Sequence, residues 1–258
     1  MQLKSKIIVL TGGQGGIGKI LASSLERAGA RVIVVDRQLG IDTWPTDLSD
    51  EKALLGLCEK LTKQPVDILI NLAGLMYFGH LHEQPTDQLA TMLRVNLEVP
   101  IRLSQAVIPG MLKRGSGQIV NIGSVFGSLA FPHFVTYSTT KAGLKGFSEA
   151  LRREYAGKGI TVTHIAPRAV KTALNGGIIA DLHERTGVVN DSPEKVAGII
   201  LKAIEKERKN ITIGFPEMVF TKINALLPGV IDNALTGKRD IADQLLNEQK
   251  EKPHAKAA

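Results

Sequence analysis

Thr11-Gly12-Gly13-Gln14-Gly15-Gly16-Ile17-Gly18 joins a short apolar run, Ile7–Thr11, to a segment with helical periodicity. Glycine amides can approach a phosphate group closely because no Cβ stands in the way, and a helix N-terminus favours negative charge. Such a glycine-rich stretch alone could also form a flexible loop. Its position between a strand and a helix predicts a turn that binds the pyrophosphate of a dinucleotide.

The second predicted strand, Arg31–Asp36, ends in an acidic residue about 20 residues after this turn, where a dinucleotide places its adenosine ribose. A carboxylate at Asp36 would bind the ribose hydroxyls and repel a 2′-phosphate, which favours NAD. Arg37 is adjacent and offers a guanidinium that neutralises a phosphate. We therefore expect NAD as the cofactor, with NADP as the open alternative.

Short apolar runs alternate with longer helical patterns from Lys6 to Gly214, with no linker rich in proline or glycine. Runs that are apolar throughout are typical of parallel strands buried on both faces. The pattern predicts an α/β fold: a doubly wound parallel sheet of the Rossmann type, in a single domain with helices on both faces. The predicted strands are Ile7–Thr11, Arg31–Asp36, Val66–Asn71, Gln118–Ile122, Thr161–Ile165 and Ile211–Gly214, and the predicted helices are Gly16–Ala28, Asp50–Thr62, Thr86–Arg114, Ser138–Tyr155 and Pro193–Lys209.

The composition is that of a globular protein: 258 residues, of which 43% are hydrophobic, suffice for a large buried core. The single cysteine, Cys58, forms no internal disulfide, and no apolar stretch approaches the ~18 residues of a membrane span. The apolar run after Lys6 is too short for the core of a signal peptide. These features predict a soluble protein of the cytoplasm.

The net charge of +7 raises the question of a nucleic-acid partner. The basic residues are scattered along the chain, and the densest run, Glu205–Lys209, alternates in sign as a solvated helix face does. No basic stripe carries the aromatic residues that bind single strands. The charge therefore indicates an ordinary surface and no nucleic-acid partner.

Tyr137 and Lys141 are spaced i and i+4 on a predicted helix, which places them on one face. An ammonium beside a phenol lowers its pKa from the usual ~10 towards neutrality, so that the tyrosine can act as acid or base on an alcohol or ketone. The spacing alone is common on helix surfaces. Ser124 adds weight because it follows a predicted strand at its carboxyl end, where α/β proteins bind ligands.

Together these motifs resemble the short-chain dehydrogenase/reductase family over residues 5 to 214. The resemblance implies hydride transfer between a nicotinamide and a carbonyl or hydroxyl carbon. It implies that Tyr137 exchanges the proton and that Ser124 orients the substrate oxygen. Lys141 would bind the nicotinamide ribose and depress the tyrosine pKa, and Asn96 would hold a water for proton relay. It also implies a homodimer or homotetramer.

The same resemblance assigns a cofactor-binding set, in which the Asp47-Leu48 pair contacts the adenine. The set is Thr11, Gly12, Gln14, Gly16, Ile17, Gly18, Asp36, Arg37, Asp47, Leu48, Asn71, Ala73, Gly74, Tyr137, Lys141, Pro167, Val170 and Thr172. Two positions depart from the family pattern, because Leu72 replaces an asparagine and Arg168 replaces a glycine. If that glycine serves to reach positive φ, Arg168 is strained or its loop is rebuilt. We expect Arg168 near the mouth of the cleft.

Apolar side chains cluster in the loops that flank the expected site, which favours a bulky apolar alcohol or ketone as the small-molecule substrate. The expected substrate-lining residues are Met76, Val125, Phe126, His133, Phe134 and Leu174. His80-Leu81-His82-Glu83 resembles a metal cluster, but no motif supplies a spaced third ligand, so we expect no metal.

Beyond residue 214 the family pattern fades, and apolar residues recur at helical spacing up to Ile231, interrupted by Pro228-Gly229. We expect residues 215–247 to form a substrate cap or an oligomer contact within the same domain as residues 1–214, followed by a flexible tail at 248–258. A surface that rests on a membrane is the alternative for this stripe, weakened by the few lysines beside it.

The function favoured by the sequence is that of an NAD(H)-dependent oxidoreductase acting on a secondary alcohol or ketone. The enzymatic alternative is an NADPH-dependent carbonyl or 3-oxoacyl thioester reductase that uses Arg37. A catalytically silent, nicotinamide-sensing regulatory protein is the alternative from another class. The intact set of Asn96, Ser124, Tyr137 and Lys141 argues against it.

Overall fold

The computed structural model describes residues 1–40 and 42–251. Its centre is a seven-stranded, fully parallel sheet in the order β3-β2-β1-β4-β5-β6-β7. The strands are β1 (Ile7–Thr11), β2 (Arg31–Asp36), β3 (Thr43–Pro45), β4 (Ile68–Asn71), β5 (Gly117–Ile122), β6 (Ile160–Ala166) and β7 (Asn210–Thr212). The strand order reverses between β1 and β4, and ligands bind α/β sheets at the carboxyl edge of such a switch point. The predicted doubly wound fold is confirmed.

Helices cover both faces of the sheet. They are α1 (Gly16–Arg27), α2 (Glu51–Thr62), α3 (Thr86–Leu93), α4 (Val99–Arg114), α5 (Val135–Glu154), α6 (Ile178–Arg185), α7 (Pro193–Glu205), α8 (Phe215–Leu226) and α9 (Pro228–Glu251). Two apolar clusters separate by strand parity: Ile8 and Leu10 pack towards α1 and α7, whereas Val9 packs towards α2 and α4. The core therefore lies on both sides of the sheet, as the unbroken apolar strands predict.

Several element ends differ from the predicted ones by one to four residues, and the structure also differs in four larger respects. The predicted helix Thr86–Arg114 is divided by a π-helical turn at Arg94–Glu98. β3 and α6 have no counterpart in the prediction, because they are only three and eight residues long. The C-terminal stripe forms two helices, since Pro228 begins α9 where it interrupts the apolar pattern.

The predicted flexible tail, residues 248–258, begins inside α9, which continues to Glu251. An ion pair between Arg185 and Glu248 and another between Lys250 and Glu83 hold the end of this helix against α6 and the turn before α3. These contacts give the last turn partners that a sequence reading does not reveal. Residues 252–258 lie outside the described part of the chain.

Candidate active site

A cavity of about 400 Å³ opens at the switch point of the sheet. Its walls bring together the glycine turn, the end of β2, the segment after β3 and the loop after β4. The residues of the predicted cofactor set that line it are Gly12, Gln14, Gly16, Ile17, Gly18, Asp36, Arg37, Asp47, Leu48, Ala73, Gly74 and Thr172. Other members of the set lie behind these walls or in the adjoining cavity.

The glycine turn is shaped by close backbone packing. Gly12 has φ +71°, and a Cβ added there would lie 2.8 Å from the Cα of Ala73. A Cβ on Gly18 would lie 2.2 Å from the carbonyl oxygen of Gly12. Only glycine fits at either position, so the backbone folds tightly enough for the first turn of α1 to face the cavity. The residues present therefore fit a dinucleotide pyrophosphate.

Two backbone amides hold the carboxylate at the end of β2. Asp36 Oδ2 accepts a hydrogen bond from the Gln14 amide at 3.0 Å, and its Oδ1 accepts one from the Gln38 amide at 3.1 Å. The carboxylate thus ties β2 to the glycine turn and presents its charge at the cavity wall. Arg37 lines the same wall.

Thr11 and Asn71 support the cavity from behind. Thr11 Oγ1 accepts hydrogen bonds from the amides of Leu72 and Ala73, both at 3.1 Å. Asn71 donates to Asn121 at 2.8 Å within the buried core. Leu72, one of the departures from the family pattern, packs its side chain against the apolar cluster on the α1 side. Its backbone anchor to Thr11 is independent of side-chain type, so the substitution leaves the loop fastened.

Ser124, Tyr137 and Lys141 converge where β5 ends against α5. Ser124 Oγ accepts a hydrogen bond from the Phe126 amide at 3.1 Å, and Ser124 and Tyr137 line the same cavity. Lys141 Nζ donates to the carbonyl of Ile122 at 3.0 Å and lies 5.7 Å from the centroid of the Tyr137 ring. Both the tyrosine and the lysine are buried.

Burial overturns the expected direction of the tyrosine shift. It raises the pKa of Tyr137 to about 12, because a phenolate loses its hydration, and the Ser124 side chain offsets only part of this. Burial also lowers the pKa of Lys141 to about 8. The i, i+4 spacing predicted that the ammonium would depress the phenol pKa. In the structure the ammonium points to the Ile122 carbonyl instead, and desolvation dominates both groups.

Asn96 occupies the π-helical turn between α3 and α4. Its Oδ1 accepts from the Leu75 amide at 2.8 Å, and its Nδ2 donates to the Leu75 carbonyl at 2.8 Å and to Thr140 at 3.0 Å. The side-chain amide therefore fastens the loop after β4 to α5. Its expected role in a proton relay stays a prediction.

Arg168 follows β6 without backbone strain, since the only non-glycine residues with positive φ in the described part of the chain are elsewhere. Its Nε and Nη2 donate to Asp191 Oδ2 and Oδ1 at 2.8 and 3.0 Å, and Nη1 lies 3.5 Å from Glu217. The loop thus gains an ion pair where the family has a glycine. Val170 forms a β-bridge to Asp191, and the Pro167 carbonyl accepts from the Val125 amide.

A second cavity, of about 380 Å³, adjoins the first at Leu174, which lines both. Among the predicted substrate-lining residues, it is lined by Met76, Val125, Phe126, Phe134 and Leu174, and it also contains Ser124 and Tyr137. Arg168 lies in its wall, in line with its expected place near the cleft. His133 does not line it; its ring turns towards α9, where it meets Asp243.

The sequence predicted a substrate cap or oligomer contact at residues 215–247, but it did not name the residues that form the outer wall of this second cavity or the contribution of α6. That wall consists of side chains from α6, α8, α9 and neighbouring loops: Leu129, Phe131, Asn175, Leu182, His183, Thr186, Val188, Glu217, Phe220, Ile231, Ala234, Leu235 and Lys238. The apolar stripe after residue 214 was the one available signal for α8 and α9. No motif pointed to α6.

The family model for short chain dehydrogenases matches residues 6–183, more than half of the chain. The chain belongs to the short-chain dehydrogenase family. Like the relatives and structural neighbours that it matches, the chain is an NAD(P)-dependent oxidoreductase that acts on CH–OH groups. The family resemblance seen in the sequence and the expected enzyme class are confirmed.

Similar proteins differ in size and chemistry. The chain is 32% identical to the 3-oxoacyl-[acyl-carrier-protein] reductase FabG of Escherichia coli over 207 residues, covering 75% of this dehydrogenase and 84% of FabG. It is 33% identical to glycine betaine reductase ATRR of Emericella nidulans over 226 residues, 79% of this chain but only 18% of that protein.

A solved structure confirms the architecture. A gluconate 5-dehydrogenase-like protein of Beutenbergia cavernae, crystallised with NADP at low occupancy, superposes with a TM-score of 0.78 at 26% identity, covering 84% of this chain and 98% of that one. Within residues 1–40 and 42–251, no helix has the length and apolar character needed to cross a membrane.

Proposed function

We propose that this dehydrogenase prefers NAD(H) and interconverts a bulky apolar secondary alcohol and its ketone. The observation that carries the cofactor preference is the carboxylate of Asp36, held at the cavity wall by the amides of Gln14 and Gln38. An anchored carboxylate suits ribose hydroxyls and opposes a 2′-phosphate through like-charge repulsion.

The bound nicotinamide would supply or accept the hydride. Gly12 to Gly18 would hold the pyrophosphate, Asp36 the adenosine ribose and the Asp47-Leu48 pair the adenine. Gly74, Lys141 and Thr172 would lie on the nicotinamide side.

Tyr137 and Ser124 would act on the substrate oxygen. Because its pKa is raised to about 12, Tyr137 carries its proton at neutral pH and can donate it to the oxygen of a ketone as hydride reaches the carbon. Ser124, which lines the same cavity as the phenol, would orient the same oxygen. Removing the proton in the reverse direction requires the phenolate, which burial disfavours.

The second cavity supports an apolar substrate. Met76, Val125, Phe126, Phe134 and Leu174 line the cavity together with Ser124 and Tyr137, and most of the lining surface is apolar, although the charged side chains of Arg168, Glu217 and Lys238 also reach it. Such a site recognises a substrate by apolar area and fixes its orientation through one oxygen.

The proposed assembly is a homodimer or homotetramer, as in the sequence-based expectation.

The cofactor preference is tested by titrating the parent chain, Asp36→Asn and Asp87→Asn with NADH and NADPH, followed by nicotinamide fluorescence. We expect the parent chain to bind NADH more tightly, and Asp36→Asn to lose about tenfold or more of that preference. Asp87, exposed in the first turn of α3, is the matched control and should behave as the parent chain. Tighter binding of NADPH by the parent chain would overturn the preference.

An NADPH-dependent 3-oxoacyl thioester reductase is the second candidate. Arg37 lines the cofactor cavity, and FabG of Escherichia coli, a 3-oxoacyl-[acyl-carrier-protein] reductase, is a relative. Arg37→Ala should weaken only NADPH binding, and strongly, if this candidate is right. A panel of ketones and 3-oxoacyl thioesters, read at the absorbance of the reduced nicotinamide, then distinguishes the two substrate classes.

A further inference from the structure

Three metal-ligating side chains meet on the outer side of the loop that precedes α5. His80 lies just before a short helical turn, Leu81–Glu83, His133 lies two residues before α5, and Asp243 belongs to α9. One ligand atom from each lies within 4.8 Å of the other two. We call these three residues the two-histidine cluster. It lies outside both cavities described above.

The distances within the two-histidine cluster suit a single small cation. Asp243 Oδ1 lies 3.1 Å from His133 Nε2 and 3.7 Å from His80 Nε2. A tetrahedral site with metal–ligand bonds of about 2.0 to 2.1 Å separates its ligand atoms by about 3.3 Å. The two measured distances bracket this value, so a metal ion fits after side-chain shifts of about half an ångström or less at these two edges.

His133 is the buried member of the two-histidine cluster, and one of its ring nitrogens has no hydrogen bond. Its side chain is 7% exposed, and its Nε2 is buried without a hydrogen bond, although Asp243 Oδ1 is 3.1 Å away. Its backbone is in the left-handed region, with φ 64°, which is uncommon for a residue other than glycine.

We propose that His80, His133 and Asp243 form a Zn²⁺ site that fastens α9 to the loop carrying the active-site residues. Two imidazoles and a carboxylate are ligands that zinc accepts in tetrahedral geometry. His80 and Asp243 are partly exposed, so water completes the coordination from the solvent side. The sequence pointed away from a metal because His82 and Glu83 are not the partners of His80; His133 and Asp243 come from distant parts of the chain.

The site would act on the substrate cavity through its neighbours. His133 is followed by Phe134, which lines that cavity, and Ile231, Leu235 and Lys238 of α9 lie in the opposite wall. Coordination of one metal ion by His133 and Asp243 would therefore hold α9 over the substrate cavity. Zn²⁺ binding at this site can be measured directly, without turnover by the enzyme.

The experiment titrates the full chain, free of any histidine tag, with ZnCl₂ by isothermal calorimetry, and with Co²⁺ to read coordination geometry from its visible spectrum. The variants are Asp243→Asn, which keeps the side-chain shape, and His80→Ala. The matched controls are Asp232→Asn on the same helix and His82→Ala, which removes an imidazole that is 80% exposed and stacks on His80. Melting temperatures with and without Zn²⁺ show that each variant is folded.

We expect one Zn²⁺ per parent chain, a tetrahedral Co²⁺ spectrum and a melting temperature that rises with Zn²⁺. Asp243→Asn and His80→Ala should each weaken Zn²⁺ binding by about tenfold or more, while Asp232→Asn and His82→Ala bind as the parent chain does. Equal binding by all five proteins, weak binding removed by His82→Ala, or no binding by the parent chain would each overturn the proposal. In the last case His133 and Asp243 form an ion pair only.

Discussion

The first cavity, proposed above to bind the cofactor, and the second, proposed to bind the substrate, are built from different parts of the chain; we call them the cofactor cavity and the substrate cavity. Backbone atoms and strand ends form the first: the glycine turn, the carboxylate of Asp36 and the loop after β4. Side chains from α6, α8 and α9 close the second. The close approach of backbone atoms requires glycine at positions such as Gly12 and Gly18, whereas a wall of side chains can be built from many residue types. The difference explains why one cavity carries recognisable motifs and the other does not.

The first prediction concerns Tyr137, which lines the second cavity together with Ser124. Tyr137→Phe removes the proposed proton donor and leaves the glycine turn and Asp36 intact. We expect kcat for ketone reduction to fall by about 10² to 10⁴, the usual contribution of a general acid. The dissociation constant for NADH should stay within about twofold of the parent value if the cofactor cavity is independent of the phenol.

Tyr155→Phe is the matched control for this change. Tyr155 follows α5 and lies away from both cavities, so its variant should keep the parent kcat. Full activity in Tyr137→Phe would refute the proposed mechanism. A loss of NADH binding in the same variant would show instead that the Tyr137 phenol contributes to cofactor binding and that the two cavities are coupled.

The second prediction concerns His164 on β6, beneath the carboxyl edge of the sheet. Burial, with smaller effects from Lys141, Lys145 and Arg152, lowers its pKa from 6.5 to about 4. The unfolded chain binds this proton more readily, so the stability contributed by His164 is complete above pH 6.5 and is lost as the pH falls towards 4. The difference corresponds to about 3 kcal/mol of unfolding free energy, as an order of magnitude.

Urea unfolding at pH 7.5 and pH 4.5 measures this loss. His164→Gln should flatten the decline relative to the parent chain, whereas His82→Gln, at an exposed position, should leave it unchanged. If the unfolding free energy of the parent chain and of His164→Gln falls equally between pH 7.5 and pH 4.5, protonation of His164 does not cause the loss of stability in acid. His133 and His183, whose pKa values burial also lowers, would then be the groups to examine.

The sequence identifies many of the residues that line the first cavity, because the signals there are local. Gly12 and Gly18 meet each other within one turn, and Asp36 ends the neighbouring strand. The unbroken apolar runs of β1 and β2 are equally local, and they suffice for the doubly wound fold.

The substrate half is poorly predicted because its contacts join distant segments. Arg168 meets Asp191 and Glu217, and His133 meets Asp243, pairs that no spacing rule connects. The same limit applies to Tyr137: its spacing from Lys141 is visible in the sequence, but the burial that raises its pKa depends on the whole fold. The local sequence pattern therefore predicts where a titratable side chain lies, whereas its pKa depends on how the whole fold packs around it.

The third prediction compares two arginine–carboxylate pairs that share a bidentate character and differ in burial. Arg168 binds Asp191, whose side chain is 3% exposed, in the wall of the substrate cavity. Arg185 binds Glu248 on the surface, between α6 and α9. Arg168→Ala leaves a buried carboxylate with Lys195 as its remaining cation, and we expect the unfolding free energy to fall by about 2 kcal/mol.

Arg185→Ala should change stability little, because solvent screens an exposed pair. Arg168→Ala should also raise KM for the ketone while leaving the NADH dissociation constant unchanged, since Arg168 lines only the substrate cavity. Urea unfolding and steady-state kinetics on both variants supply the comparison. If Arg168→Ala instead weakens NADH binding, the loop after β6 couples the two cavities, which adjoin at Leu174. In that case the cofactor cavity, built from backbone, and the substrate cavity, built from side chains, are not independent sites.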